Sequence, residues 1–215
     1  MANGEKPNES IGSGNEKTVY PDPENKDRVF AKFHEYIKET PKQIKARYYL
    51  TKIIHFLLPK NIPDMHWVGS EPNAYQIDKV EVDERHRAIR EYYEMPDSSK
   101  TEAYKKAVET ISLDKDIEDF QLKIDQLGIR SLDLALINYT KDKEGNVLYL
   151  DSFYAWKFKN DGSPSLFLNF KKLEEAINSL AENDKKSAKN FLQRLRELYE
   201  EEKELSKNKK SDERK

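Results

Sequence analysis

The sequence predicts an α+β fold, and three observations carry that reading. Short β-prone runs punctuated by glycine and proline crowd residues 11–82. Two further hairpin-like stretches occupy 137–150 and 154–170, and most of the remainder has the 3.6-residue apolar period of helices. At 215 residues the chain is long enough for a real core, as one large domain or two halves sharing a cleft. Its 38 basic and 40 acidic residues leave a net charge of -2, so no global field draws nucleic acid or an anionic membrane, and neither is expected as a partner. The absence of cysteine rules out disulfides and thiolate metal sites and fits a reducing compartment. The first residues hold no apolar run for a signal peptide, and no stretch reaches the roughly 20 apolar residues of a membrane helix. A soluble, cytoplasmic protein is expected.

Residues 1–10 are polar and read as a disordered lead. Gly12 and Gly14 follow as a Gly-x-Gly loop, with Val19 five residues on. Such glycines let backbone N–H groups approach an anion closely. After a polar turn at 21–27, residues 28–33 alternate as a strand carrying Lys32. The region 34–58 reads as mostly helical from a start at Thr40-Pro41, with Ile44, Tyr48, Leu50, Thr51, Ile54 and Leu58 at helical spacing. Pro59 and Pro63 stop it. Strands are predicted at 65–68 and 74–82, the second ending in a connection at 79–82. Residues 83–110 read as charged helix with a break at 95–99. Asp116 opens an amphipathic helix, with Ile117, Phe120, Ile124 and Leu127 on one face and Gly128 at the C-terminal cap position. His55 and His66 read as packing or hydrogen-bonding residues, since no second His or Cys stands at metal spacing.

The chemistry concentrates between Asp133 and Asp151. Asn138 stands five residues after Asp133, and Asp151 thirteen after Asn138, across a polar turn at 141–146 flanked by β-prone runs. A hard cation takes a few carboxylate or carbonyl oxygens while keeping waters and phosphate oxygens. Asn138 and Asp151, at the two ends of a hairpin, can supply them, and Asp133 can orient a hydroxyl nucleophile. A second hairpin turns at Asn160-Asp161-Gly162, followed by helices at 171–181 and 184–206. Leu192, Leu195, Leu198 and Tyr199 give the last helix an apolar stripe that packs on the domain, and the charged tail 207–215 reads as solvated and disordered.

In this order the residues resemble the protein-kinase-like fold over roughly 11–170, and are closer to compact bacterial kinase-like and aminoglycoside-phosphotransferase-like proteins than to eukaryotic protein kinases. The resemblance implies two lobes. Residues 11–82 would form a small antiparallel-sheet N-lobe, and 83–206 a reduced, mostly helical C-lobe with a catalytic hairpin at 129–151. It also implies ATP and Mg²⁺ as cofactors. Gly12, Gly14 and Val19 would cover the phosphates, Lys32 would hold the α/β pair, and the backbone of Glu81 and Val82 would meet an adenine edge. Asp133 would accept the proton of a hydroxyl acceptor, and Asn138 and Asp151 would bind the metal. The chain departs from the family pattern in several places. Lys17 replaces the third glycine, and Ser131-Leu132 replaces the usual His-Arg before Asp133. Ser152-Phe153 follows Asp151 instead of Phe-Gly. The regulatory-helix glutamate would fall near Arg47 and Tyr48, with Glu35 and Glu39 the nearest acids. No Ala-Pro-Glu motif is present, and the 64 residues after Asp151 are too few for a full peptide-binding lobe. Two functions follow: an ATP- and Mg-dependent phosphotransferase, or a pseudokinase, a nucleotide-binding or scaffold module acting through protein partners. A third reading is an interaction protein in which the Asp/Asn/Asp spacing is accidental.

Overall fold

The computed structural model describes residues 10–14, 16–37, 39–69, 71, 73–96, 101, 105, 114–130, 135–159 and 162–212. Five strands form one antiparallel sheet in the order β1-β2-β3-β5-β4: β1 Gly12–Ser13, β2 Lys17–Pro21, β3 Arg28–Phe33, β4 Met65–Trp67 and β5 Ala74–Asp78. Helix α1, Pro41–Leu57, lies between β3 and β4 in sequence. A connector at 79–83 leads to α2, Glu84–Glu94, and further on to α3, Lys115–Gln126. A 3-10 turn at Leu136–Asn138 enters the hairpin β6 Tyr139–Lys141 and β7 Val147–Tyr149. A second hairpin, β8 Trp156–Phe158 and β9 Pro164–Leu166, precedes α4 Phe170–Asn178 and α5 Glu182–Asp212. The architecture is therefore α+β. Among the described residues no helix is long and apolar enough to cross a membrane.

Helix α1 begins where the sequence places it. Thr40 accepts from the Gln43 N–H at 3.2 Å, and the Gln43 side chain accepts from the Thr40 N–H at 2.9 Å, with Pro41 in the first turn. This helix is buried on two sides, which explains its apolar residues around much of its circumference. Ile44 and Tyr48 join Ala31, Phe33, Met65 and Tyr75 in a core against the sheet. Ala46, Leu50, Ile53 and Ile54 join a larger core built by α3, the β6–β7 hairpin, α4 and α5. Phe191 of α5 packs against Tyr48, Tyr49 and Phe56, and so ties the last helix to α1.

Some boundaries differ from the sequence reading. β5 stops at Asp78, so 79–82 is a connector without strand pairing. The second strand of the hairpin expected over 154–170 reads from the sequence as Leu166–Phe170, but β9 lies at Pro164–Leu166, and Leu168 makes only an isolated bridge to Ile129. Helix α5 continues to Asp212, past the tail boundary at 206. No proline or glycine interrupts residues 200–212, and Lys203 pairs with Glu200 one turn before it. The expected turn residues Asn160 and Asp161, and most of the break after Pro96, lie outside the described residues.

Gly128 closes α3 with φ +78°, where an added Cβ would stand 2.8 Å from Asn169 Cβ and 3.1 Å from Lys172 Cβ. Gly145, in the β6–β7 turn, has φ +86° and nothing within 4 Å. Gly145→Ala should therefore cost only the left-handed backbone term, about 1–2 kcal/mol. Gly128→Ala should add roughly 1–3 kcal/mol of overpacking to that. Urea midpoints of the two variants measure the difference, and equal losses would show that the junction before α4 yields to the added methyl.

Candidate functional site

The site is set by strand parity. Across the β2–β3 ladder Lys17 faces Phe33, Thr18 faces Lys32 and Val19 faces Ala31. Cross-strand partners share a face, and successive residues alternate. Ala31 and Phe33 are buried, so their face is the inner one, and Lys17 points inward with them. Its Nζ donates to the Tyr75 hydroxyl at 3.1 Å and forms an ion pair with Asp151 Oδ1. Lys32 projects from the opposite face. Its Nζ stands 3.6 Å from Glu71, with 56% of the side chain exposed. Lys32, which the resemblance would set at the phosphates with Asp151 at the metal, therefore lies on the face away from Asp151: the lysine beside Asp151 is Lys17, and Phe33 takes the inward place next to Ala31.

Arg47 of α1 gathers the rest of the site. Its side chain is 1% exposed. Nη1 donates to Glu16 and to Glu39, each at 2.9 Å, and Nε donates to Ser152 Oγ at 2.9 Å. Nη2 lies 3.5 Å from Asp151 Oδ1. The guanidinium also stands over the Tyr154 ring at 4.0 Å and the Phe33 ring at 5.1 Å. Tyr75 donates to Ser152 Oγ at 3.1 Å, and the Tyr154 hydroxyl donates to Glu16. The network thus joins the β1–β2 hairpin, β5, helix α1 and the segment after β7. The glutamate expected on the helix is absent from this position. Glu39, just before the helix, pairs with Arg47 and not with a strand lysine, and Glu35 is exposed.

The charges hold one another ionised. Burial alone would raise the Asp151 pKa, but Lys17 and then Arg47 outweigh it and bring it down to about 2. Burial works against the Lys17 ammonium, yet Asp151 and Tyr75 raise its pKa above the usual lysine range. The same balance, with Arg47 as the opposing charge, holds Glu16 below its ordinary value. Glu39 goes the other way: burial lifts its pKa and Arg47 does not fully offset it. Its Oε2 is buried without a hydrogen-bond partner.

The remaining sequence candidates fall in several places. Gly12 makes room for Arg90 of α2, whose Nη1 would stand 3.2 Å from an added Cβ and donates to Ile11 O at 3.3 Å. Gly14 closes the hairpin through its N–H to Lys17 O at 2.9 Å, and Val19 packs against the sheet core. Glu81 and Val82 line an open groove of about 780 Å³ with Leu148, Lys141 and Arg87. There Glu81 pairs with Lys143 at 2.8 Å, and the Val82 carbonyl accepts from Arg87 at 3.2 Å. Asn138 accepts the Leu150 N–H at 2.8 Å through its backbone, which sets it one residue from Asp151. Asp133 lies outside the described residues.

At Asp151, Oδ1 takes Lys17, Arg47 and the Ser152 N–H at 2.8 Å, so Oδ2 is the oxygen that a cation could take. The ligand atoms of Asp64, His66 and Asp78 also lie within 4.8 Å of one another, a grouping that sequence spacing did not show. Those carboxylates already hold Lys52 and Arg28, and His66 Nε2 meets Asp78 at 3.1 Å. His55 Nδ1 meets the Ile62 carbonyl at 2.8 Å, so both histidines serve hydrogen bonds.

Sequence reasoning missed Glu16, Tyr75, Ser152 and the partnership of Arg47. One signal was available: Val29, Ala31 and Phe33 form the apolar parity of β3, which puts Lys32 on the outer face.

Asp151→Asn should remove the carboxylate from two buried cations and cost roughly 3–5 kcal/mol near neutral pH. The depressed pKa gives Asp151 a stabilising share that is complete above the unfolded value of 3.8 and is lost as pH falls toward about 2. The stability gap between wild type and Asp151→Asn should therefore narrow as pH falls from about 4 to about 2. A gap that stays constant over that range would show that Asp151 is not held by these cations.

No family model matches the chain, and no curated protein matches it either.

Proposed function

We propose that the chain is a kinase-like, bilobal nucleotide-binding module and works as an ATP-dependent phosphotransferase toward a hydroxyl acceptor. One observation supports this reading most directly. A lysine from the glycine-bearing β1–β2 hairpin meets the aspartate that follows the β6–β7 hairpin, with Asn138 one ladder position from that aspartate. That is the convergence the Gly/Asn/Asp order makes chemical sense of. Asp151 Oδ2 and Asn138 would hold a magnesium ion, which when bound supplies neutralisation of phosphate charge. Asp133 would orient the acceptor hydroxyl and take its proton. Most of the rate would come from positioning and fixed charge.

A second reading, a pseudokinase acting through protein partners, is favoured by Arg47. Asp151 already carries two cations on Oδ1. Unit charges about 4 Å apart near a protein surface interact by about 4 kcal/mol. A dication at Oδ2 would face that opposition from both Lys17 and Arg47.

ADP release and thermal shift, measured together, decide between them. Mg-ATP at about 100 times its dissociation constant should add roughly 2.7 kcal/mol, a melting shift on the order of 5–10 °C. Wild type should release ADP, and Asp133→Ala should keep the shift while losing about 10²–10⁴ in turnover. ATP bound with no ADP release above that of Asp133→Ala selects the pseudokinase. No shift at millimolar Mg-ATP removes the phosphotransferase and every nucleotide-binding form of the pseudokinase, and leaves only a scaffold.

A further inference from the structure

We infer that Lys17, and not Lys32, is the lysine that receives the nucleotide's phosphates, an assignment that rests on the nucleotide-binding reading. A phosphate-contacting lysine must reach the face of the sheet that looks onto the aspartate, because the metal and phosphate oxygens are shared between those two groups. The β2–β3 register excludes Lys32 from that face and puts Lys17 on it. The local contacts agree. Lys17 Nζ already meets a carboxylate oxygen of Asp151 and the Tyr75 hydroxyl, with 14% of its side chain open to solvent. Lys32 Nζ stands 3.6 Å from Glu71 and braces β3 against the turn before β5.

The position of Lys17 in the hairpin strengthens the assignment. It begins β2, immediately after the turn that follows Gly14. The hairpin that would cover a polyphosphate therefore carries the cation itself, instead of leaving it to the neighbouring strand. Tyr75 and Ser152 hold that cation in place: Lys17 donates to Tyr75, Tyr75 donates to Ser152, and Arg47 donates to the same Ser152 oxygen. A phosphate oxygen entering beside Asp151 would meet an ammonium group already aimed and partly desolvated. Such a group loses less on binding than a free surface lysine, which must first give up side-chain entropy.

The test labels the folded wild-type chain with ATP that carries an acyl group on its γ-phosphate. A lysine amine at the phosphate site attacks the acyl carbon. The C–N bond forms, the carbon–phosphate oxygen bond breaks, ATP leaves, and the ammonium proton passes to solvent. Peptide mass spectrometry should place the acyl group on Lys17, with at least a tenfold loss of label when excess ATP competes. Lys32 should be labelled no more than other exposed lysines and should gain no protection from ATP. A parallel thermal-shift series covers the variants. Lys32→Met should keep the full ATP-induced shift, and Lys17→Met should lose most of it.

Protection of Lys32 instead of Lys17, or ATP binding that leaves Lys17 unprotected, overturns the assignment and leaves the nucleotide reading standing. No ATP-protected lysine together with no ATP-induced shift removes the nucleotide reading and the assignment with it. Because the labelling uses wild type, a Lys17→Met chain that fails to fold does not blunt the result.

Discussion

The buried guanidinium of Arg47 is the constraint on which the rest of the structure depends. A charge taken out of water at this depth costs several kcal/mol unless it is paired and hydrogen-bonded. Arg47 answers that cost with Glu16, Glu39, Ser152 and the nearby Asp151, which come from three separate stretches of chain. The sheet hairpin, the segment before α1 and the strand exit after β7 must all arrive together for the ion to be paired, and even then Nη2 makes no hydrogen bond. Ion clusters of this kind are poor sources of net stability. We regard this one as specifying how the β1–β2 hairpin and the β6–β7 hairpin meet across α1. The hydrophobic cores on the two sides of α1 supply the bulk of the driving force.

Much of the fold was legible in the sequence. The helix start at Thr40-Pro41, the apolar face of α3 with its Gly128 cap and the β6–β7 hairpin all follow from local signals: capping chemistry, a 3.6-residue period and turn residues. The site was legible only in part. Asp151 was found because its spacing from Asn138 is a one-dimensional property of the chain. Lys32 stands out in the sequence through its order, on a strand behind the Gly-x-Gly loop and ahead of Asp133, Asn138 and Asp151, and order carries no information about parity. A shift of one residue in a strand reverses the face, so the lysine of the site came from the facing strand. Glu16, Tyr75 and Ser152 could not be picked out, because their roles arise from partners 31 to 138 positions away in sequence.

The same network frames the choice between catalysis and scaffolding. Phosphoryl transfer draws on a preorganised field, and the Lys17–Asp151 pair is preorganised by its buried partners. The cost of that arrangement is that one oxygen of Asp151 is committed to the protein's own cations. A second, separate feature is the groove beside Glu81 and Val82, where charged residues of both signs surround Leu148. It sits at the connector between the sheet and α2, away from the Lys17–Asp151 contact, and its ion pairs leave the carbonyl of Val82 bonded to Arg87.

A double-mutant cycle on Lys17→Met and Asp151→Asn measures the contact on which this description turns. Lys17 and Asp151 meet directly in a mostly buried setting, so their losses in unfolding free energy should be coupled by about 1–3 kcal/mol. The doubly substituted chain should then be more stable than the sum of the single losses allows. Losses that add to within about 0.5 kcal/mol would contradict the account, because they would mean that the two residues do not hold each other in the folded protein.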